Sequence, residues 1–307
     1  MANTIEYAKL FQTNLDKTMV NQSVTGWMEA NAGQVKYNGG KEIKIPKLVM
    51  DGLGNYDRTN GFKNGAVTFE YETMQMNYDR GRKFNIDRND VDETGFVLTA
   101  GTIMSEFQRT KVAPEIDAFR LSTLATKAIT NTSVEYGYVP AKSTALEKLK
   151  NAITNLRDKG FTGGLVCHCS YTFKNEVEKG LAGQFTSMTF TVGGVNTQVT
   201  SIDGVPLVPT SSNLMYTKFD LLDGETAGQE AGGFVKATDG LAMNFVLVAQ
   251  EVPIAVSKTD NFRIFDPSIN QLFDGWSIDY RKYHDIWVLD NKVNGIYVNI
   301  KDAQPQG

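Results

Sequence analysis

The segment GLGNYDRTNGFKNG, residues 52–65, constrains the fold more than any other stretch, because it joins two predicted strands and is too long for a hairpin turn. Compact domains connect strands with about two to five residues, and a longer unstructured loop is either functional or a sign of a wrong assignment. This loop contains Leu53, Tyr56 and Phe62. An isolated two-stranded ribbon is only marginally stable in water. We therefore predict that other copies of the same chain cover this ribbon.

The two flanking strands follow from a period of two in the apolar residues. In KEIKIPK, Ile43 and Ile45 alternate with charged residues, and we expect Pro46 to end this strand. In AVTFEYETMQM, the residues Val67, Phe69 and Tyr71 share one face.

Composition excludes several classes of protein. The 307 residues are 41% hydrophobic and 21% charged, which indicates a globular chain of about two domains. No apolar run approaches the roughly 18 residues of a membrane span, and no signal peptide is evident, so we expect a cytoplasmic protein without a membrane partner. The net charge of -4 and the lack of a basic block argue against strong binding of nucleic acid.

Cys167 and Cys169 flank His168 in a predicted strand, GLVCHC. Alternation places both thiols on one face and the imidazole on the other, which disfavours a shared metal. We predict buried strand residues in a reducing compartment.

Motifs for catalysis and cofactor binding are missing from the sequence. The chain has two histidines, no G-x-S-x-G elbow, no phosphate-binding loop and no dinucleotide fingerprint. His284 precedes Asp285, but neighbours on a strand face opposite sides, so we assign His284 a structural role. We expect neither enzymatic activity nor a cofactor.

The acidic stretch NIDRNDVDET contains Asp87, Asp90, Asp92 and Glu93. It lacks the glycine and the terminal glutamate of an EF-hand loop, so calcium binding is the weaker alternative. Acidic residues before a long helix complement the dipole at the helix N-terminus, which is the interpretation that we favour.

The remaining patterns predict an α+β fold. Apolar residues at steps of three and four indicate a long helix from Phe96 to Ile129, with a kink or a break at Pro114. A second helix has a capping box formed by Thr144 and Glu147, and Gly160 ends it. Further expected elements are a helix over 172–179, hairpin turns at 193–194 and 203–204, a flexible surface loop over 222–233, and strands from residue 252 to the C-terminus.

The stretch DRGR and its surroundings alternate in charge at the base of the ribbon, through Asp79, Arg80, Arg82 and Arg88. Guanidinium groups there would reach carboxylates of a neighbouring subunit, or the residues would simply form a solvated strand end. Composition alone favours the solvated strand end.

Several collinear segments carry a family resemblance: KEIKIPK, GLGNYDRTNGF, VTFEYETMQMNYDRGRKFNIDRNDVDET, VAPEIDAFRLSTLA, KTDNFRIF and YRKYHDIWVLDNKVNGIYVNI. In order and along nearly the whole chain, they resemble the major capsid proteins of tailed bacteriophages that infect Gram-positive hosts. The resemblance implies the Hong Kong 97-type capsid fold. Its parts would be an N-terminal arm (1–34), an extended β-hairpin loop (35–78), a peripheral domain with a spine helix (79–140), an axial domain (141–250), the long strands of the peripheral domain (251–290) and a C-terminal strand that returns to the axial domain (291–307).

The resemblance also implies a function and partners. We expect a shell subunit of a virion, assembled in the bacterial cytoplasm around double-stranded DNA that it contacts weakly. Its expected partners are further copies, a separate scaffolding protein, a portal and decoration proteins. Residues expected at contacts between subunits are Leu53, Tyr56, Asp57, Arg58, Phe62, Lys63, Arg80, Arg82 and Arg88. Some members join subunits through a lysine in the position of Lys63, but no motif for the partner asparagine or the assisting carboxylate is present.

Two alternatives remain open from the sequence. An encapsulin-type nanocompartment subunit would share the fold and enclose a cargo enzyme instead of DNA. A carbohydrate-binding module would use Trp27, Trp276 or Trp287, although their separation in sequence favours core packing.

Overall fold

The computed structural model describes residues 23–37, 41–59, 61–87, 103–181, 186–192, 195–265, 267–270 and 274–305. They form an α+β fold in which fifteen strands make up four sheets. The strands are β1 (Lys36–Tyr37), β2 (Glu42–Met50), β3 (Val67–Gln75), β4 (Tyr78–Asp87), β5 (Val134–Glu135), β6 (Leu165–Ser170), β7 (Thr186–Val192), β8 (Val195–Ile202), β9 (Val205–Thr210), β10 (Phe219–Leu222), β11 (Gly233–Lys236), β12 (Met243–Ala249), β13 (Pro253–Phe265), β14 (Gly275–Val288) and β15 (Ile296–Ile300). The α-helices are α1 (Ala113–Thr130), α2 (Ala145–Asp158) and α3 (Tyr171–Gly180), and 3-10 helices span Gly26–Gln34, Ser212–Leu214 and Asp290–Gly295.

The largest sheet has seven strands in the order β5-β15-β12-β6-β9-β8-β7. β12 lies in its middle, antiparallel to both β6 and β15. All three α-helices contribute buried residues to the apolar cluster that covers this sheet, including Leu124, Leu149 and Phe173. The closing strand β15 thus belongs to the sheet of the middle region.

A second sheet has the order β13-β14-β4 and contains the two longest strands, of 13 and 14 residues. β4 pairs with β14 along its whole length. A Cβ atom at Gly81 would lie 2.7 Å from the carbonyl oxygen of Tyr280, so only glycine fits at this position of the paired strands.

The ribbon consists of β2 and β3, paired from Glu42 and Gln75 at its base to Met50 and Val67 near its tip. The expectation that Pro46 ends the first strand is wrong, because β2 continues through Pro46 to Met50. On the other side of β2, β1 has two residues and pairs only with Ile43 and Lys44. Pro46 therefore lies beside an open edge, where a missing N–H group is tolerated.

The long helix is irregular near Pro114, as the sequence predicts. Residues 103–107 are helical, Gln108–Val112 form a π-helical turn, and α1 follows with Pro114 in its first turn. Proline has no N–H group for an intrahelical hydrogen bond, and both prolines and π turns mark places where a helix departs from regular geometry. The predicted helical residues 96–102 lie outside the described residues.

Helix α2 follows the sequence signals at both ends, with one exception. Thr144 is its N-cap residue, but its side chain makes no cap hydrogen bond and lies 3.0 Å from the hydroxyl oxygen of Tyr138, so the predicted capping box is wrong. At the C-terminus, Gly160 has the predicted positive φ of 94°, and the Phe161 amide donates to the Leu156 carbonyl at 3.2 Å.

The turn at Asp203 and Gly204 is confirmed by φ angles of 52° and 77° between β8 and β9. The predicted turn at 193–194 lies outside the described residues. The expected surface loop over 222–233 connects two short strands, β10 and β11, which pair with each other. None of the described helices is long and apolar enough to cross a membrane.

Candidate interaction surface

The ribbon carries a concentration of exposed apolar side chains. Leu53 is fully exposed and Phe62 is 88% exposed. Large apolar patches on a protein surface mark sites of interaction. Among the described residues, fifteen large apolar side chains are exposed, and nine of them belong to the ribbon: Leu48, Val49, Met50, Leu53, Tyr56, Phe62, Val67, Phe69 and Tyr71.

The tip of the ribbon is folded by its own hydrogen bonds. The backbones of Asp57 and Gly61 bond to each other at 3.2 and 2.7 Å, and Gly61 has a φ of 77°. The Asp57 carboxylate also accepts from the Thr59 amide at 2.8 Å. This turn holds the rings of Tyr56 and Phe62 edge to face, 5.0 Å apart. The tip therefore presents an aromatic pair to solvent in a defined geometry.

The base of the ribbon is anchored in the subunit core. Ile43, Ile45 and Met76 are fully buried in a cluster with residues of β13 and β14, including Ile254. The hydroxyl of Tyr283 donates to the Met76 carbonyl oxygen at 3.1 Å. The subunit thus supports the base of the ribbon and leaves its outer half uncovered.

The arginines of β4 bind the hairpin β10–β11 of their own chain. Arg80 forms an ion pair with Glu115 of α1 at 2.6 Å, and it donates to the carbonyl oxygens of Leu222 and Gly233 at 2.8 and 3.1 Å. Arg82 donates to the Glu230 carbonyl oxygen at 2.9 Å. Sequence reasoning missed these partners, although the alternation of Phe219 and Leu221 was a signal for the strand.

The other residues expected at subunit contacts lie on the tip or outside the described residues. Asp57 shapes the turn, and Arg58 and Lys63 are exposed beside it. Arg88 falls outside the described residues. Contacts of all nine residues with a second subunit therefore stay a prediction.

A buried polar cluster that the sequence did not reveal fixes residues 23–29 to α1. The Asp117 carboxylate accepts from the hydroxyls of Ser23 (2.7 Å) and Thr25 (2.5 Å) and from the amides of Val24 (3.0 Å) and Thr25 (3.1 Å). The guanidinium of Arg120 donates to the Thr25 carbonyl oxygen at 3.2 Å. Burial raises the pKa of Asp117, against the opposing effect of these hydrogen bonds.

The cysteines and His168 have structural environments. Both thiols are free and fully buried in the main apolar cluster, which confirms the prediction of buried strand residues. On the opposite face, the indole N–H of Trp27 donates to His168 Nε2 at 3.0 Å, and burial lowers the pKa of His168 to about 3. The described residues contain no group of three or more metal-ligating side chains.

His284 and the remaining tryptophans are also core residues. The centroid of the His284 ring lies 4.4 Å from that of Tyr78 and 5.7 Å from that of Phe119. Burial lowers the pKa of His284. Trp276 and Trp287 belong to two different apolar clusters, and neither cluster contains Trp27. The three tryptophans therefore do not form a joint sugar-binding platform.

Comparison with known proteins shows the fold. No protein-family model matches the chain, and no curated protein sequence matches it. The chain is similar in structure to the capsid structure of Cyanophage P-SCSP1u (12% identity, TM-score 0.59, 86% of this chain and 84% of that chain). It is also similar to the mature capsid of bacteriophage PhiM1 (12% identity, TM-score 0.54, 86% of this chain and 82% of that chain). A third similar structure is a virus-like particle from Pyrococcus furiosus (10% identity, TM-score 0.50, 96% of this chain and 99% of that chain). This chain therefore has the α+β fold of phage capsid subunits.

Proposed function

We propose that this chain is the major capsid protein of a tailed bacteriophage, whose copies form hexamers and pentamers of an icosahedral head around double-stranded DNA. The observation that carries the proposal is the apolar ribbon, anchored at its base and exposed over its outer half. It belongs to a fold that is shared with capsid subunits. The chain acts as a structural subunit, and its place is the virion.

The energetics support a role in assembly. Ordering a loop costs about 1–2 kcal/mol per residue, and exposed apolar groups return none of this cost. Obligate interfaces bury about 2,000 Å² or more and are more apolar than transient ones. Nine exposed apolar side chains on one ribbon suit such an interface. The net charge of -4 suits a shell that encloses DNA without gripping it.

Further partners follow from the same proposal. A head subunit of this kind works with a portal and a separate scaffolding protein, and decoration proteins would bind the finished shell. Assembly takes place in the cytoplasm of a Gram-positive host. These partners and this host follow from the resemblance of the sequence to phage capsid proteins.

A second candidate is the shell subunit of a nanocompartment. The likeness to the Pyrococcus furiosus particle, which covers 96% of this chain, supports a closed shell without deciding its contents. Electron microscopy of purified particles separates the two functions. A head packed with double-stranded DNA supports the phage capsid, and a shell filled with protein supports the nanocompartment.

Replacement of residues 52–65 by a short Gly-Ser linker tests the proposal. Because the loop lies outside the buried clusters, we expect a folded subunit with an unchanged unfolding midpoint that no longer forms shells in negative-stain microscopy. The matched control replaces Val139 and Tyr171 by serine, since both are exposed apolar residues that do not belong to the ribbon, and it should assemble normally. Normal shells from the linker variant would contradict the function of the ribbon.

A further inference from the structure

Residues 23–34, which we call the strap, join the two larger sheets of the subunit. Near one end, the ring of Trp27 packs on the apolar cluster that contains Phe190 of the seven-stranded sheet. Near the other end, the side-chain amide of Asn31 donates to the carbonyl oxygen of Pro253, the first residue of β13, at 2.9 Å. Between these contacts, a buried polar cluster binds the strap to α1. The strap therefore fixes the seven-stranded sheet, α1 and β13 to one another.

Both histidines of the chain are fully buried, and the first of them binds the strap directly. The indole N–H of Trp27 donates to Nε2 of His168 at 3.0 Å, and the two ring centroids lie 6.0 Å apart. An indole donates and cannot accept, so this nitrogen of His168 carries no proton. The other nitrogen, Nδ1, is buried and has no hydrogen-bond partner among the described residues. A proton on both nitrogens would break the bond to Trp27 and place an unpaired charge against apolar side chains.

The second histidine lies where α1, which holds the strap, packs on β14. The ring of His284 contacts Tyr78 and Phe119, and neither of its nitrogens has a hydrogen-bond partner in the described part of the chain. The positive charges of Arg120 on α1 and of Lys282 on β14 both oppose its protonation. Arg120 also donates to the strap, both to a backbone carbonyl oxygen and to a carboxylate. A charge on His284 would therefore repel the residue that holds the strap on α1.

The carboxylates on the elements around His284 do not compensate for such a charge. Each of them is bound to another donor, and none forms a hydrogen bond to His284. The pairs are Asp285 with the amides of Asn77 and Ile286, Glu115 with Arg80, Glu29 with Arg120, Asp260 with Lys282, and Asp117 with Ser23 and Thr25. Protonation of His284 would therefore leave a buried charge without a counter-ion.

We propose that the strap is an acid-sensitive fastening, which protonation of His168 and His284 releases from the seven-stranded sheet and from α1. The inference concerns the single subunit and goes beyond the proposed function. Burial lowers the pKa of His168 to about 3, and it also lowers the pKa of His284.

The direction of the pH effect follows from these lowered values. A histidine that is neutral in the folded state contributes stability that is present above its unfolded pKa of about 6.5. This stability is lost as the pH falls below that value, because the unfolded chain takes up a proton that the folded subunit excludes. Each histidine should lower the folding equilibrium constant by up to about tenfold for each pH unit. Asp117 and Asp285, whose pKa burial raises, act in the opposite direction.

A pH series on the unassembled full-length subunit tests the inference. The comparison is between the wild type and a double variant, His168→Gln with His284→Phe. Glutamine keeps an acceptor for Trp27 without titrating, and phenylalanine suits the aromatic neighbours of His284. From pH 7 to pH 5, urea denaturation should show that the folding equilibrium constant of the wild type falls about 100-fold relative to the variant. The two aspartates are present in both proteins, so their effect cancels, and parallel pH profiles would overturn the inference.

Nuclear magnetic resonance of the wild type gives a second test that needs no variant. The two imidazole C–H signals of the folded subunit should not titrate between pH 8 and pH 5. Titration of either histidine near pH 6.5 in the folded subunit would overturn the inference.

Amide hydrogen exchange separates release of the strap from unfolding of the whole subunit. After correction for the intrinsic rate, the protection of the Thr25 and Met28 amides should fall at least tenfold from pH 7 to pH 5, while that of β12 is unchanged. In the double variant, the strap should stay protected at both pH values. Equal loss of protection in the strap and in β12 would contradict a specific release of the strap and would leave the proposed function intact.

Discussion

Strands β12 and β3 both carry large apolar side chains, but in opposite environments. Every residue of β12, Met243–Ala249, is buried, and partner strands bond to both of its edges. β3 pairs with β2 alone, and its face of Val67, Phe69 and Tyr71 is exposed. Burial of apolar side chains stabilises the subunit in β12. The exposed apolar side chains of β3 are available for contact with a second molecule. If the proposed function holds, β12 stabilises the folded subunit and the exposed face of β3 contacts other copies of the chain.

Truncation of a phenylalanine in each strand tests this separation and has the largest expected effect. Phe245 is fully buried with its ring 4.7 Å from Phe173, so Phe245→Ala should lower the free energy of unfolding by about 3–5 kcal/mol. Phe69 is 57% exposed, so Phe69→Ala should change it by about 0.5 kcal/mol or less. Urea denaturation of the unassembled subunit measures both values. Equal losses for the two variants would show that the ribbon is part of the subunit core.

Residues 23–29, unlike the outer half of the ribbon, are bound by the subunit itself, and the pH dependence of stability tests this contact. Burial raises the pKa of Asp117 above 3.8 in the folded state, so its contribution to stability is present below that pH and is lost as the pH rises through the raised value. Asp117→Asn does not titrate at this position. From about pH 4 to about pH 7, the unfolding free energy of the wild type should therefore fall relative to that of the variant. A difference that is constant or that grows with pH would contradict this prediction.

Arg82→Ala should have only a small effect on the stability of the subunit. Arg82 makes an exposed hydrogen bond to the Glu230 carbonyl oxygen, so we expect a loss of about 1 kcal/mol or less in the free energy of unfolding. Assembly should be weaker, because the loop that joins β10 to β11 is less firmly held on β4. Light scattering across a salt series measures the assembled fraction. Unchanged assembly of the variant at every salt concentration would support the interpretation of this stretch as a solvated strand end.

Local signals predicted much of the fold. The sequence places the ends of α2 correctly at Thr144 and Gly160, and it predicts an irregularity near Pro114 without specifying the π-helical turn. Such features depend on residues a few positions apart, so the sequence displays them directly. The exposed ribbon was predicted for the same reason, from the length and composition of the segment at 52–65.

Long-range partners could not be predicted in this way. Asp117 meets Ser23 across 94 positions of the sequence, and Arg80 meets Leu222 across 142. The identity of a polar residue does not specify which distant backbone group it will bind. The end of β2 was misplaced for a related reason, because the open edge beside Pro46 depends on the short length of β1.

Amide hydrogen exchange measures whether other copies of the chain cover the ribbon. We predict that the amides of residues 52–65 exchange rapidly in the unassembled subunit and slowly in the shell, whereas those of β12 are protected in both. Slow exchange of the ribbon in a stable monomer, equal to that of β12, would contradict it.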